Sequence, residues 1–225
     1  MSAMPARVRI KLCGFTRPGD VRLACELGVD ALGLIFAHNS SRRLSLSQAG
    51  MLRQAMAPLT CAVALFMNNP RAEVAAVVAH IAPHFLQFHG DERDDFCHSF
   101  GLPYIKTIAM GGVQSLDMQA IVETFPHAAA FLLDGHAPGA AGGSGQGFDW
   151  ACLPKDSPKP LMVAGGLRPE NVYGLVRAHR PWAVDAASGV ELAPGIKDGD
   201  KMRAFIAAVH RANRDRAAST FPAMP

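Results

Sequence analysis

Val8-Arg9-Ile10-Lys11-Leu12-Cys13-Gly14-Phe15-Thr16-Arg17-Pro18-Gly19-Asp20-Val21-Arg22-Leu23-Ala24-Cys25-Glu26-Leu27 carries one complete unit of the fold. Val8–Leu12 alternates apolar with basic residues, the period of a strand. Pro18–Leu27 then spaces its apolar residues as a helix does, with proline at the start, where its missing N–H costs nothing. The same strand-then-helix unit recurs along the chain. Further strands are expected at Ala31–Phe36, Ala62–Met67, Phe85–Phe88, Tyr104–Ile108, Ala130–Leu133, Leu161–Ala164 and Ala183–Ala186. Helical patterns fill Ser47–Ala57, Arg71–Ile81, Leu116–Phe125, Pro169–Arg177 and Asp198–Val209, and a short helix starts at Asp91-Glu92 and runs to about Phe100.

Strands alternating with helices imply a parallel sheet of βαβ units. Eight units in 225 residues fit a single-domain α/β chain closed as a (β/α)8 TIM barrel, with the open doubly wound sheet as the alternative. No linker divides the chain, so residues 1–225 form one expected domain, in which about 212–225 is a flexible C-terminal tail.

Composition excludes several classes. Hydrophobic residues make up 49% and charged residues 18%, a balance of neither a disordered chain nor a membrane protein. No apolar run spans a bilayer, and Met1–Arg9 lacks the apolar stretch of a signal peptide. The five cysteines, Cys13, Cys25, Cys61, Cys97 and Cys152, show no CxxC spacing. Neither a disulfide framework nor a zinc site is expected, and a cytoplasmic location is. The net charge of +3 owes part to Arg203, Arg211, Arg214 and Arg216. With no aromatic residues interleaved among them, they read as a solvated helix face rather than a nucleic-acid surface.

Side chains alternate across a strand. Lys11 and Cys13 therefore share a face, as do Gln87 and His89, Leu132 and Asp134, and Ala183 and Asp185. Lys106 falls opposite the face of Ile105 and Thr107. Ile10, Leu12, Leu133 and Val184 are left to pack on helices. The polar set thus gathers at one side of the sheet near the carboxyl ends of the strands, which in a barrel is the mouth of the active site. Cys13 offers a thiol and Asp134 a carboxyl: a separated base and acid.

Two glycine-bearing turns follow the seventh and eighth strands, Ala164-Gly165-Gly166-Leu167 and Ala187-Ser188-Gly189-Val190. Turns in these positions recur as the phosphate site of barrel enzymes, because glycine lets backbone N–H groups approach an anion. A third glycine-rich stretch, Gly135 to Gly147, follows the sixth strand without helical pattern and reads as a binding loop or lid.

Together these segments resemble phosphoribosylanthranilate isomerase. The resemblance runs from about Val8 to Phe205. It rests on Lys11-Leu12-Cys13-Gly14-Phe15-Thr16, Ser40-Ser41-Arg42, Leu86-Gln87-Phe88-His89-Gly90-Asp91-Glu92, Leu132-Leu133-Asp134, Gly142-Gly143-Ser144-Gly145 with Phe148-Asp149-Trp150, Ala164 to Val172, and Val184 to Asp198. It implies a TIM barrel that converts N-(5-phosphoribosyl)anthranilate to its 1-deoxyribulose isomer in tryptophan biosynthesis, an Amadori rearrangement that uses no cofactor and no metal. By position Cys13 matches the general base and Asp134 the general acid. Lys11, His89 and Asp185 are further substrate-site candidates. Arg42 matches the arginine on the anthranilate carboxylate, with Arg43 as its neighbour and alternative. Gly143, Ser144, Gly145, Gly165, Gly166, Ser188 and Gly189 match the phosphate turns. The only partner implied is the small-molecule substrate, with no nucleic acid and no membrane, for a monomer or homodimer.

The same reading sets two protonation demands. Cys13 needs nearby positive charge, with Lys11 the first candidate source and Lys106 the second. Asp134 must be protonated part of the time, which partial desolvation or the substrate phosphate would favour. Other readings are a histidine-pathway aminoaldose isomerase, which uses two carboxylates and so fits Cys13 poorly, and a non-catalytic phosphate-binding barrel, which should have lost one of the two groups.

Overall fold

The computed structural model describes residues 7–136 and 147–220. Strands β1 (Arg9–Cys13), β2 (Ala31–Ile35), β3 (Cys61–Phe66), β4 (Phe85–Phe88), β5 (Tyr104–Ala109), β6 (Ala130–Asp134), β7 (Leu161–Val163) and β8 (Ala183–Ala186) pair in parallel, each with the next, and β8 closes on β1. The expected (β/α)8 barrel is therefore present, and the open-sheet alternative falls.

Helices α1 (Pro18–Glu26), α2 (Leu46–Ala55), α3 (Arg71–Ile81), α4 (Asp94–His98), α5 (Met118–Thr124), α6 (Pro169–His179) and α7 (Gly199–Thr220) cover the outside. Between β6 and β7 the described residues hold only a 3-10 turn, Trp150–Cys152. After β8 the chain makes an antiparallel hairpin of β9 (Glu191–Ala193) and β10 (Ile196–Lys197), which sequence periodicity did not reveal.

Side-chain alternation sorts the core into two layers. Ile10, Leu12, Phe131 and Val184 face the helices in one large cluster. Val63, Ile105, Leu132, Met162 and Ala183 fill the barrel interior, and Cys13, Ile35 and Leu65 cap them toward the strand ends. Phe88, between the inward-facing Gln87 and His89, points outward, into an aromatic group with Phe66, Phe96, Phe100 and Tyr104.

Element ends follow local chemistry. Helix α2 begins at Leu46, one residue before the expected Ser47, because Ser45 and Gln48 form a capping box, a device worth about 0.5–2 kcal/mol. Helix α5 starts only at Met118, where the Asp117 side chain accepts from the Ala120 N–H. Helix α7 runs beyond the boundary at about 212: Ala212 is buried, and the Asn213 side chain bonds both backbone groups of Val8.

Candidate active site

A cavity of about 530 Å³ opens where the strands end, and Cys13, Arg42, His89, Asp134, Gly165 and Ser188 are on its wall. Elements remote in sequence thus bring the thiol and the carboxyl to one space. Asp185 lines it too. Lys11 is not on the wall; it lies below, buried, with its Nζ 2.8 Å from Asp185 Oδ2, a pairing dictated by the Lys11–Asp185 register of β1 and β8.

Cys13 is the last residue of β1, and its neighbour across the ladder is Gly33. A Cβ at Gly33 would stand 2.4 Å from Cys13 Sγ. Only glycine leaves the sulfur its place. Gly33→Ala is accordingly expected to displace the thiol and lower kcat by roughly 10²-fold, the scale of an ångström-sized misplacement. Steady-state kinetics beside a thermal melt check this, and an unchanged kcat would mean that the sulfur position is not critical.

Burial pushes the Cys13 thiol up, Lys11 and Lys197 pull it down, Asp185 opposes them, and the net shift is upward. Lys197 was not singled out from sequence. Its Nζ reaches Cys13 O at 2.6 Å, Glu191 Oε1 at 2.8 Å and Ala187 O at 3.3 Å. Burial lowers the Lys197 ammonium despite Glu191. Lys106, the second expected source of positive charge, is corrected: it faces away from the cavity, to Gly90 O at 2.6 Å and Glu92 Oε2 at 3.2 Å. Its strand alternation already set it on that face.

Asp134 Oδ2 lies 3.3 Å from His89 Nε2 and 3.5 Å from His136 Nδ1. These contacts suit charge pairing but are not aligned as full hydrogen bonds, and neither ring nitrogen has another partner among the described residues. Burial pushes the carboxyl up, but the flanking histidines outweigh it and hold Asp134 well below the usual carboxylate range. The free site thus favours the carboxylate rather than the expected acid form, and His136, which the sequence reading did not single out, contributes to that beside His89.

Arg42 lies buried on the cavity wall, while Arg43 is exposed. Glu191 grips one edge of the guanidinium, Nε at 2.9 Å and Nη2 at 2.6 Å, which fixes the plane of the fork. The hydrogen bonds that Arg42 donates to Glu191 raise the Arg42 pKa, and the same pairing holds Glu191 low against its burial.

Gly165 and Gly166 have positive φ, +86° and +64°, and their N–H groups meet no backbone carbonyl among the described residues. Ser188 joins them on the wall; Gly189 does not, being pressed against Leu167 O, where a Cβ would come within 1.9 Å. Gly189 thus lets the two turns touch. Gly143, Ser144 and Gly145 lie outside the described residues.

Comparisons with known proteins agree with this geometry. The model of the N-(5'-phosphoribosyl)anthranilate isomerase family matches residues 10–208. An N-(5'-phosphoribosyl)anthranilate isomerase of Stenotrophomonas maltophilia is 53% identical over 213 residues, 95% of this chain and 98% of that one. The crystal structure of phosphoribosyl anthranilate isomerase from Thermus thermophilus superposes with a TM-score of 0.81 at 34% identity, covering 91% of this chain and 99% of that one. Another structure of such an isomerase, in complex with reduced 1-(o-carboxyphenylamino)-1-deoxyribulose 5-phosphate, gives a TM-score of 0.75 at 29% identity, covering 91% and 99%.

Proposed function

The chain belongs to the N-(5'-phosphoribosyl)anthranilate isomerase family, and on that premise we propose that Cys13 and Asp134 are the base and acid of its reaction. It is an isomerase of tryptophan biosynthesis. The observation that carries the residue assignment is that a thiol and a carboxyl from strands β1 and β6 line one cavity with glycine turns after β7 and β8.

The substrate phosphate is held at Gly165, Gly166 and Ser188, and its anthranilate carboxylate meets the open side of the Arg42 guanidinium. Asp134 protonates the ribose ring oxygen, and the ring opens to a Schiff base. Cys13, as thiolate, takes the proton from C2, and the resulting enolamine tautomerises to the ketone. Each positioned proton transfer contributes about 10²–10⁴-fold, and anchoring both ends of the substrate supplies orientation.

The histidines stabilise the anion that Asp134 becomes after giving up its proton. That makes the loaded carboxyl a strong donor and the empty site a poor proton store. Phosphate bound beside it adds negative charge, which works the other way and favours loading. On the other side Lys11 and Lys197 favour the thiolate against burial.

Freshly prepared phosphoribosylanthranilate supplied to the purified chain tests this reading. Loss of substrate fluorescence at a rate proportional to enzyme is expected. No loss with folded protein overturns it, and faster turnover of a histidine-pathway aminoaldose would move the assignment to that substrate.

A further inference from the structure

We propose that His89 Nε2, His136 Nδ1 and Asp134 Oδ2 form a site for a zinc-class divalent cation, and that an ion bound there shuts the isomerase off. Cysteine spacing argued against a zinc site, and the family resemblance implied a reaction without metal; this ligand set contains no cysteine, and the ion takes no part in the reaction.

Three observations support the site. The first is geometry. Zinc bonds nitrogen and oxygen at about 2.0–2.1 Å, so adjacent ligands of a tetrahedron stand about 3.4 Å apart. Asp134 Oδ2 is 3.3 Å from one imidazole nitrogen and 3.5 Å from the other, and all three ligand atoms lie within 4.8 Å of one another. The pocket side, lined by His89 and Asp134, leaves room for a fourth ligand.

The second is unmet bonding. Apart from their contacts with Asp134, His89 Nε2 and His136 Nδ1 are buried and lack hydrogen-bond partners among the described residues. Buried polar atoms without partners are rare and costly. A cation takes both lone pairs at once, with the carboxylate supplying charge.

The third is the support behind His89. Its Nδ1 sits 3.3 Å from the Gln87 amide nitrogen and 3.3 Å from Thr107 Oγ1, while Gln87 Oε1 is itself buried without a partner. Amide orientation is a matter of assignment. Turned over, Gln87 Oε1 accepts a hydrogen bond from His89 Nδ1–H, so that Nε2, facing Asp134, is the nitrogen that binds the ion once its own proton is displaced. That is the outer support that metal-binding histidines ordinarily have.

Zinc, cobalt and nickel suit two imidazoles and a carboxylate; magnesium and calcium prefer all-oxygen sites. The bound ion would tie up Asp134 and stand in the substrate cavity. The inhibitory part rests on Asp134 being the acid; the binding part does not.

Chelator-stripped protein titrated with zinc chloride in a calorimeter is expected to take up one tight equivalent. His136→Gln should weaken that binding by at least about 10²-fold, and Gln87→Leu by about 10–100-fold. Cobalt(II) on the wild-type protein reads the ligands without any mutation, through an intense tetrahedral visible spectrum lacking the near-ultraviolet band of a thiolate ligand. Zinc should inhibit in competition with substrate, with an inhibition constant equal to the calorimetric Kd, and a chelator should restore activity. A thiolate band, an affinity unaffected by His136→Gln, or no uptake at micromolar zinc overturns the site. Binding at these ligands with full activity overturns the inhibition, and with it the assignment of Asp134 as the acid.

Discussion

Cys13→Ala is expected to lower kcat by about 10²–10⁴-fold with KM changed little, the loss that follows removal of a positioned general base. The sulfur lies at the barrel mouth against the backbone of Gly33, and the substrate's two anionic ends are assigned to other residues. Binding should therefore survive while proton abstraction from C2 does not. Stability should change by only about 1 kcal/mol, because one small buried atom is lost. Thermal melts of the two proteins then separate lost chemistry from lost fold.

The pH profile gives a second readout of the same change. A base works only when deprotonated, and burial sets the Cys13 thiol above its ordinary value despite Lys11 and Lys197. In the wild-type enzyme each gain in thiolate with rising pH is offset by an equal loss of protonated Asp134, whose native pKa is held low, so kcat/KM should stay level through neutrality and fall only once the thiol itself has titrated, above about 8.5, the reference thiol value. Cys13→Ala leaves only the demand for a protonated acid, so whatever activity remains should fall steadily with pH. A variant that keeps both its rate and the level profile would remove Cys13 from the mechanism.

How much of this site could be read from sequence depended on whether strand alternation reached the residue. Cys13, Asp134, Asp185 and Gln87 sit in strands whose period fixes their face, so their convergence followed once the barrel was recognised. Lys106 shows both the strength and the misuse of the rule. Its position opposite Ile105 is legible from alternation, and that same position excludes it as a charge for Cys13, which it cannot reach while bonded to Gly90 and Glu92.

Lys197 and Glu191 were invisible as site residues because the hairpin that carries them has strands of only three and two residues. Nothing so short has a readable period. They nevertheless set the site's charge: Glu191 grips Arg42, and Lys197 caps the Cys13 carbonyl. His136 was missed for a related reason. It stands two residues beyond the end of β6, inside a glycine-rich stretch, and only the folded chain brings it against Asp134 and His89. Protonation states were the least legible property of all, since they depend on partners from three or more separate elements.

Asp134→Asn is the counterpart substitution and should also cost about 10²–10⁴-fold in kcat. The amide keeps the shape of the carboxyl but has no acidic proton to give the ring oxygen, so ring opening becomes limiting and substrate accumulates bound. Stability supplies an independent check. Flanking histidines depress the native pKa of Asp134 below its unfolded value. Such a group stabilises the fold above the unfolded pKa, near ~3.9, and that contribution fades as pH falls toward the native value. The variant should therefore melt below wild type at neutral pH, and the gap should narrow as the solution is acidified past about 4. If the rate collapses with that pH-dependent gap, Asp134 is both the acid and the anion that the histidines hold. Were the rate preserved while the gap appeared, the carboxylate would be a structural partner of His89 and His136, and the proton for the ring oxygen would have to come from another group in the cavity.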